Sequence, residues 1–235
     1  MQHPSVIPQE IAQFNALAAR WWDASGPMRP LHMMNGPRAA WVAERVRNLV
    51  GPGVEILDVG CGAGLLAEAL AKQGFDVLGV DAGAEVIEAA RSHAQGQELS
   101  LEYRNAAAEE LVQEGLKFPV ITALEIIEHV ADPVEFLRSL AALLEPGGLL
   151  FLSTLNRTPK SFLTAKLGAE YILRLLPAGT HDWKKFVTPV ELGHYCREVG
   201  LSLADTAGLS FSPARRRFEV SRDLTVNYLA MAVSG

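Results

Sequence analysis

A short apolar run that ends in an acid and passes directly into a glycine turn constrains this chain most: residues 54–64 read VEILDVGCGAG, with Asp58 followed by Gly60, Gly62 and Gly64. That order is a buried strand feeding a loop whose main-chain atoms, free of side chains, can approach a nucleoside closely. The apolar LLAEALA that follows starts a helix able to pack back on the strand. A second apolar stretch, Val77-Leu78-Gly79-Val80, ends in Asp81, where a carboxylate can accept both hydrogen bonds of a ribose diol. Strand, glycine loop, helix, strand and acid open a doubly wound α/β fold.

The glycine spacing separates the candidate ligands. A dinucleotide fingerprint is GxGxxG, whereas here the glycines fall as GxGxG and Leu65 takes the sixth place. No Lys or Arg lies between Asp58 and Lys72, which excludes a P-loop. The acid two residues before Gly60, and the Cys61-Gly62 step after it, resemble motif I of the S-adenosylmethionine-dependent methyltransferases. This likeness implies S-adenosyl-L-methionine as cofactor, held along Asp58, Gly60, Cys61, Gly62, Gly64 and Asp81.

At 235 residues and 49% hydrophobic composition, one domain spanning 1–235 around one extended core is expected. A formal charge of −6 with interspersed signs gives no bulk attraction to nucleic acid. The cluster Arg215-Arg216-Arg217 reads as a solvated turn, so nucleic acid is not an expected partner. Two cysteines, Cys61 and Cys196, make neither a disulfide framework nor a zinc set, and Cys61 reads as a small loop filler rather than a nucleophile. The N-terminus, MQHPSVIPQE, is neither a signal nor a transit peptide, and no apolar stretch of about eighteen uncharged residues follows. The expected location is the cytoplasm, or a membrane surface touched from outside.

Beyond the second acid, residues 84–95 read as a helix and 99–103 as a third strand. Alanines fill the turn that follows, so an adenine contact would come from backbone near Ala107 and Ala108. Residues 118–124 form a fourth, buried strand. Asp132-Pro133-Val134-Glu135 caps a helix from 133 to about 144, Glu145-Pro146-Gly147-Gly148 stops it, and residues 149–154 form strand five. The rhythm then breaks for an insertion at 156–185. Thr188-Pro189-Val190-Glu191 announces the next helix, and residues 201–211 and 222–233 read as a terminal strand pair. Residues 9–22 carry apolar positions at helical spacing, so 9–40 reads as a helical cover over the cofactor mouth, with a simple packing helix as the alternative.

Directly after strand four comes Glu125-Ile126-Ile127-Glu128-His129, at the sheet edge where doubly wound folds bind ligands. If the turn is helical, Glu125, Glu128 and His129 lie at i, i+3 and i+4, within reach of one divalent ion. Oxygen-rich ligation favours magnesium, while the imidazole would accept zinc or manganese too. The alternative is two carboxylates favoured by a helix dipole and a histidine with no metal.

The combined string resembles the ubiquinone-biosynthesis O-methyltransferases over nearly its whole length. The likeness rests on Arg20-Trp21-Trp22-Asp23, Pro30-Leu31-His32, LDVGCGAG, Ile127-Glu128-His129-Val130, and Ser153-Thr154-Leu155-Asn156-Arg157. It continues through GAEYILR at 168–174, Gly179-Thr180-His181-Asp182, Lys184-Lys185-Phe186 and Val226-Asn227-Tyr228. The resemblance implies a Rossmann-like class I methyltransferase fold, a mostly parallel sheet with a terminal antiparallel strand pair. It implies cofactor contacts from Arg38, Gly60, Asp81 and Leu124, with Leu124 standing where the family often has Met, and Ala63 where it often has Gly. It also implies Glu125, Glu128 and His129 as a metal triad and as the residues of catalysis.

By the same resemblance the acceptor is a polyprenyl phenol or catechol, and other ubiquinone-biosynthesis enzymes are expected partners. Ionising a phenol of pKa near 10 at neutral pH costs about 4 kcal/mol, which a divalent ion could offset as a Lewis acid. His129 could instead act as general base, with His181 and His32 as weaker candidates. In the insertion, apolar residues alternate with Arg157, Lys160, Lys166, Arg174, Lys184 and Lys185 against Glu170 and Asp182 alone, the pattern of a surface drawn to anionic lipid at the inner membrane. A lid over the site is the alternative for that segment. An NAD oxidoreductase, a nucleic-acid methyltransferase and a non-catalytic cofactor sensor are the rival classes.

Overall fold

The computed structural model describes residues 5–163 and 183–235. Five parallel strands, β1 (Glu55–Val59), β2 (Asp76–Asp81), β3 (Leu101–Asn105), β4 (Phe118–Leu124) and β5 (Leu144–Leu155), make one half of the sheet. Three more, β6 (Leu201–Ser212), β7 (Arg217–Ser221) and β8 (Asn227–Ser234), pair antiparallel, giving the order β3-β2-β1-β4-β5-β8-β6-β7. Helices α1 (Pro8–Asn15), α2 (Arg29–Leu49), α3 (Leu65–Ala71), α4 (Ala84–Ala94), α5 (Ala108–Gln113), α6 (Pro133–Leu143) and α7 (Pro189–Glu198) complete the frame.

The central strands are mostly apolar because both faces are covered. Leu57, Ile121 and Leu150 join Phe136, Leu137, Leu140 and Leu192 of α6 and α7 on one side. Their chain neighbours Ile56, Val120 and Phe151 join Trp41, Val42, Leu66 and Leu70 of α2 and α3 on the other. The period-two alternation thus divides one apolar run between two cores, each fully buried side chain contributing roughly 1.5–3 kcal/mol. Both capping sequences act as their residues dictate. Asp132 accepts from the amides of Val134 and Glu135, and Thr188 and Glu191 cap each other's backbone.

Four sequence expectations are corrected. The helix expected over 9–22 ends at Asn15, and a 3-10 turn at Ala18–Arg20 follows. This break lets consecutive tryptophans reach different seats: Trp21 is buried on the glycine loop and Trp22 stacks on α4. Residues 222–226 are not strand, and the terminal pair β6 and β8 is joined by the edge strand β7, which hydrogen-bonds β6 alone. Strand five begins at Leu144, which pairs with Phe118; residues 145–148 then bulge, with Gly147 at φ +75°, before pairing resumes between Leu149 and Val120. The turn at 125–129 is not a regular helix, as described below. Within the insertion 156–185, residues 164–182, which include His181, lie outside the described residues.

Candidate active site

The carboxyl ends of β1, β2 and β4 face a solvent-open cleft, where the strand order reverses between β1 and β4. Every cofactor residue expected from the sequence lines it except Gly64, which instead caps α3. The cleft roof is the N-terminal segment, through Ile7, Glu10, Ile11, Phe14 and Trp21.

The loop glycines meet two demands at once. Gly62 has φ +55°, and a Cβ there would lie 2.3 Å from Trp21 Cζ2; Gly64 has φ +89°, and its Cβ would strike the Tyr103 hydroxyl. Ala63 keeps a negative φ, so the alanine at that position carries no backbone strain. Asp81 shapes the loop from the next strand: its Oδ2 accepts from Gly62 N at 3.0 Å and its Oδ1 from Gly83 N at 2.8 Å. Burial pushes Asp81 above the ordinary carboxylate range, against those two amides. Each oxygen retains a lone pair for a ribose hydroxyl. Burial also pushes the Cys61 thiol well up, so it is inert as a nucleophile. The amide of Ala107, which lines the cleft beside Ala108, donates to Glu110 Oε1 at 2.8 Å.

Charge concentrates at the other end. Arg38, in α2 just after Pro37, is 4% exposed and places Nη1 3.7 Å from Glu125 Oε1. Among the described residues its Nε and Nη1 have no hydrogen-bond partner, a buried cation with donors to spare. Asp58, below it on β1, accepts from Thr122 Oγ1 at 2.7 Å.

Glu125, Glu128 and His129 each face a different partner. Glu125 has φ +55° because its amide still donates to Ser153 O, continuing the β4–β5 pairing one residue past the strand. Only Ile127–His129 form a 3-10 turn. The Glu125 carboxylate accepts from Ser153 Oγ at 2.7 Å and Asn227 Nδ2 at 2.9 Å. Glu128, buried beneath the cleft, accepts from Thr154 Oγ1 at 3.0 Å. Burial, then the charge of Glu125, push its carboxyl well up. His129 lines the cleft but turns Nδ1 to Glu10 Oε2 at 3.1 Å, its ring packed edge-on against Phe14. Among the described residues no three His, Cys, Asp or Glu side chains converge to hold an ion, so the one-face triad of the sequence reading is not assembled.

Glu10 escaped the sequence reading. Burial raises its pKa, but Lys185 and His129 outweigh that and hold the carboxyl below its usual range. Its signal was an acid in the first turn of a helix already read as a cover. Ser153 and Asn227 stood in the strings carrying the resemblance, but nothing local announced that both would grip Glu125.

Residues 31–206 match the methyltransferase domain family. The chain is 46% identical to the ubiquinone biosynthesis O-methyltransferase of Acinetobacter baylyi, covering 97% of this chain and 96% of the relative. It is 46% identical to that of Cereibacter sphaeroides, covering 97% of each. In fold it resembles the magnesium protoporphyrin IX methyltransferase of Synechocystis PCC 6803 with bound SAM, at TM-score 0.65 and 19% identity over the whole of both chains. Matched nearly end to end at this identity, with the glycine loop and the acids of β1 and β2 in place, the chain belongs to the ubiquinone biosynthesis O-methyltransferases.

Proposed function

We propose that this protein moves a methyl group from S-adenosyl-L-methionine to a phenolic hydroxyl of polyprenyl hydroxyphenol or catechol intermediates of ubiquinone biosynthesis. One observation carries the reading: the glycine loop, Asp81, Arg38 and the Glu125–His129 turn all open into a single cleft under an apolar roof. The near full-length kinship supports the substrate class.

Asp81 receives the ribose hydroxyls, the backbone of Ala107 and Ala108 borders the adenine, and Leu124 supplies apolar wall. Arg38, whose Nε and Nη1 have no hydrogen-bond partner among the described residues, pairs with the cofactor carboxylate. When bound, the cofactor supplies an electrophilic sulfonium methyl for in-line attack by the phenolate oxygen. His129 acts as general base: Nδ1–H directed at Glu10 leaves Nε2 as the proton acceptor, and the carboxylate stabilises the imidazolium that forms. The roof excludes water and orders the apolar acceptor.

A divalent ion, magnesium by its donor chemistry, fits the floor of this site. Glu125, partly buried, and Glu128, fully buried, are neighbouring carboxylates, and among the described residues Asn156 Oδ1 and Asn227 Oδ1 are buried without hydrogen-bond partners. Glu125 and Glu128 would hold the ion, which would lower the phenol's pKa as a Lewis acid. His129, turned to Glu10, is left to its proton. The inner-membrane surface is the expected place of work, with docking by 156–185, a segment mostly outside the described residues. Among those described, no helix is long and apolar enough to cross a membrane.

The test is methyl transfer from labelled S-adenosylmethionine to a short-chain prenyl catechol, with S-adenosylhomocysteine binding measured alongside. Labelled O-methyl product supports the reading. Tight cofactor binding without product on any phenolic acceptor overturns it in favour of a cofactor sensor.

A further inference from the structure

Trp22, conspicuous in the sequence beside Trp21, does not line the cleft. Its indole Nε1–H donates to Ala63 O at 2.9 Å, inside the glycine loop. Its face lies on the His93 ring, centroids 3.4 Å apart and planes 3° from parallel. His93 projects from α4 and is fixed in turn: Nδ1 meets Glu68 Oε1 at 2.5 Å. Glu68, on α3 directly after the loop, is 1% exposed and also takes Lys72 Nζ at 2.9 Å and Gln97 Nε2 at 3.2 Å. A buried carboxylate with three donors on one side chain is an anchor, and it holds the histidine that the tryptophan rests on.

This chain of contacts joins the roof to the floor. The segment carrying Trp22 also carries Trp21, whose ring fills the place a Gly62 side chain would take, and Trp21 O meets His32 Nε2 at 2.8 Å. A cofactor lying on the loop is bounded on one side by these roof residues, so their movement would widen its way in and out. Opening the Trp22–His93 stack, which is reached from solvent, loosens one tie between the roof and the glycine loop and leaves the Asp81 and Arg38 contacts and the separate Glu10–His129 contact in place.

Resting on the cofactor reading above, we infer that the Trp22–His93–Glu68 clasp holds the N-terminal roof shut and sets the residence time of the cofactor and its demethylated product. His93 and Trp22 are positioning residues. They touch neither ligand, and they act through Trp21 and the loop.

The test uses the full chain, S-adenosylhomocysteine as probe, calorimetry for affinity and stopped-flow displacement for release. His93→Ala is expected to raise Kd about tenfold, mainly through faster release, while the acceptor KM holds and kcat at saturating cofactor does not fall. Trp22→Ala, which also loses the bond to Ala63 O, should do at least as much, with the double variant no worse than Trp22→Ala alone because the stack is already broken in it. His93→Phe keeps a flat ring under the indole and should restore much of the residence time; it also carries the test if Trp22→Ala fails to fold. Release rates equal to wild type in His93→Ala, or acceptor KM rising in step with Kd, overturn the clasp. Absence of S-adenosylhomocysteine binding by the wild type overturns the cofactor reading itself, and the clasp with it.

Discussion

Asp58 Oδ1 on β1 accepts from Thr122 Oγ1 on β4 at 2.7 Å, while among the described residues its Oδ2 is buried with no hydrogen-bond partner. Burial pushes this carboxyl up to about 7, against the pull of Thr122 and Arg38. The unfolded chain releases the same proton near 3.8. Between those values the folded state binds more protons, so the ligand-free protein loses stability as pH rises from about 4 to about 7. The loss is on the order of 2–4 kcal/mol if Asp58 acts alone. Asp58→Asn should flatten that slope, read as urea midpoints at pH 5 and pH 8 without cofactor. An unchanged slope would assign the pH dependence to other groups.

Two glycines to alanine should move stability in opposite directions. At Gly62 the left-handed φ costs roughly 1–2 kcal/mol for any side chain, and the added Cβ would collide with the buried Trp21 ring. Gly62→Ala should lower the melting temperature by several degrees and cost most of the S-adenosylhomocysteine affinity. Gly36 lies inside α2, and nothing stands within 4 Å of its would-be Cβ. Gly36→Ala should stabilise by about 0.5–1 kcal/mol through lost unfolded-state entropy. A destabilised Gly36→Ala would mean that α2 needs the glycine's flexibility beside Pro37.

What was legible in the sequence follows from what is local. The strand and helix order could be read because Ile56-Leu57 and Val120-Ile121 are apolar on both faces, and because Asp132 and Thr188 cap helices within a few residues of themselves. The cofactor loop was legible because only glycine suits its turns. Arg38 came from resemblance alone, since nothing near it in sequence predicts a buried cation. The left-handed Glu125 was hidden, because Ser153 on the next strand imposes it. The edge strand β7 was hidden too: its residues RFEVS are half polar and pair with one neighbour only.

The Glu10–His129 contact spans 119 positions and links the roof to the reacting end. If His129 takes the phenolic proton, His129→Gln should keep S-adenosylhomocysteine affinity and lower kcat by roughly 10²–10⁴. Glu10→Gln, which leaves the ring in place but weakens support for the imidazolium, should lower kcat less, by roughly tenfold. Equal turnover in His129→Gln and wild type would remove the histidine from the proton path.

Ser153 Oγ receives the Glu125 amide at 3.1 Å and donates to its carboxylate at 2.7 Å, so one hydroxyl fixes both the strained backbone and the charge. The proposed ion at Glu125 and Glu128 would make this grip testable apart from chemistry. Magnesium added to chelator-treated wild type should raise the melting temperature, since an ion that binds only the folded state stabilises by mass action. Glu128→Gln should lose that shift, and Ser153→Ala should shrink it while costing about 1–2 kcal/mol of stability. Turnover should track the same order, falling at least about tenfold with chelator and returning with magnesium. A wild type whose melting and turnover ignore both chelator and magnesium would leave Glu125 and Glu128 as a structural pair, with the phenol activated by His129 alone.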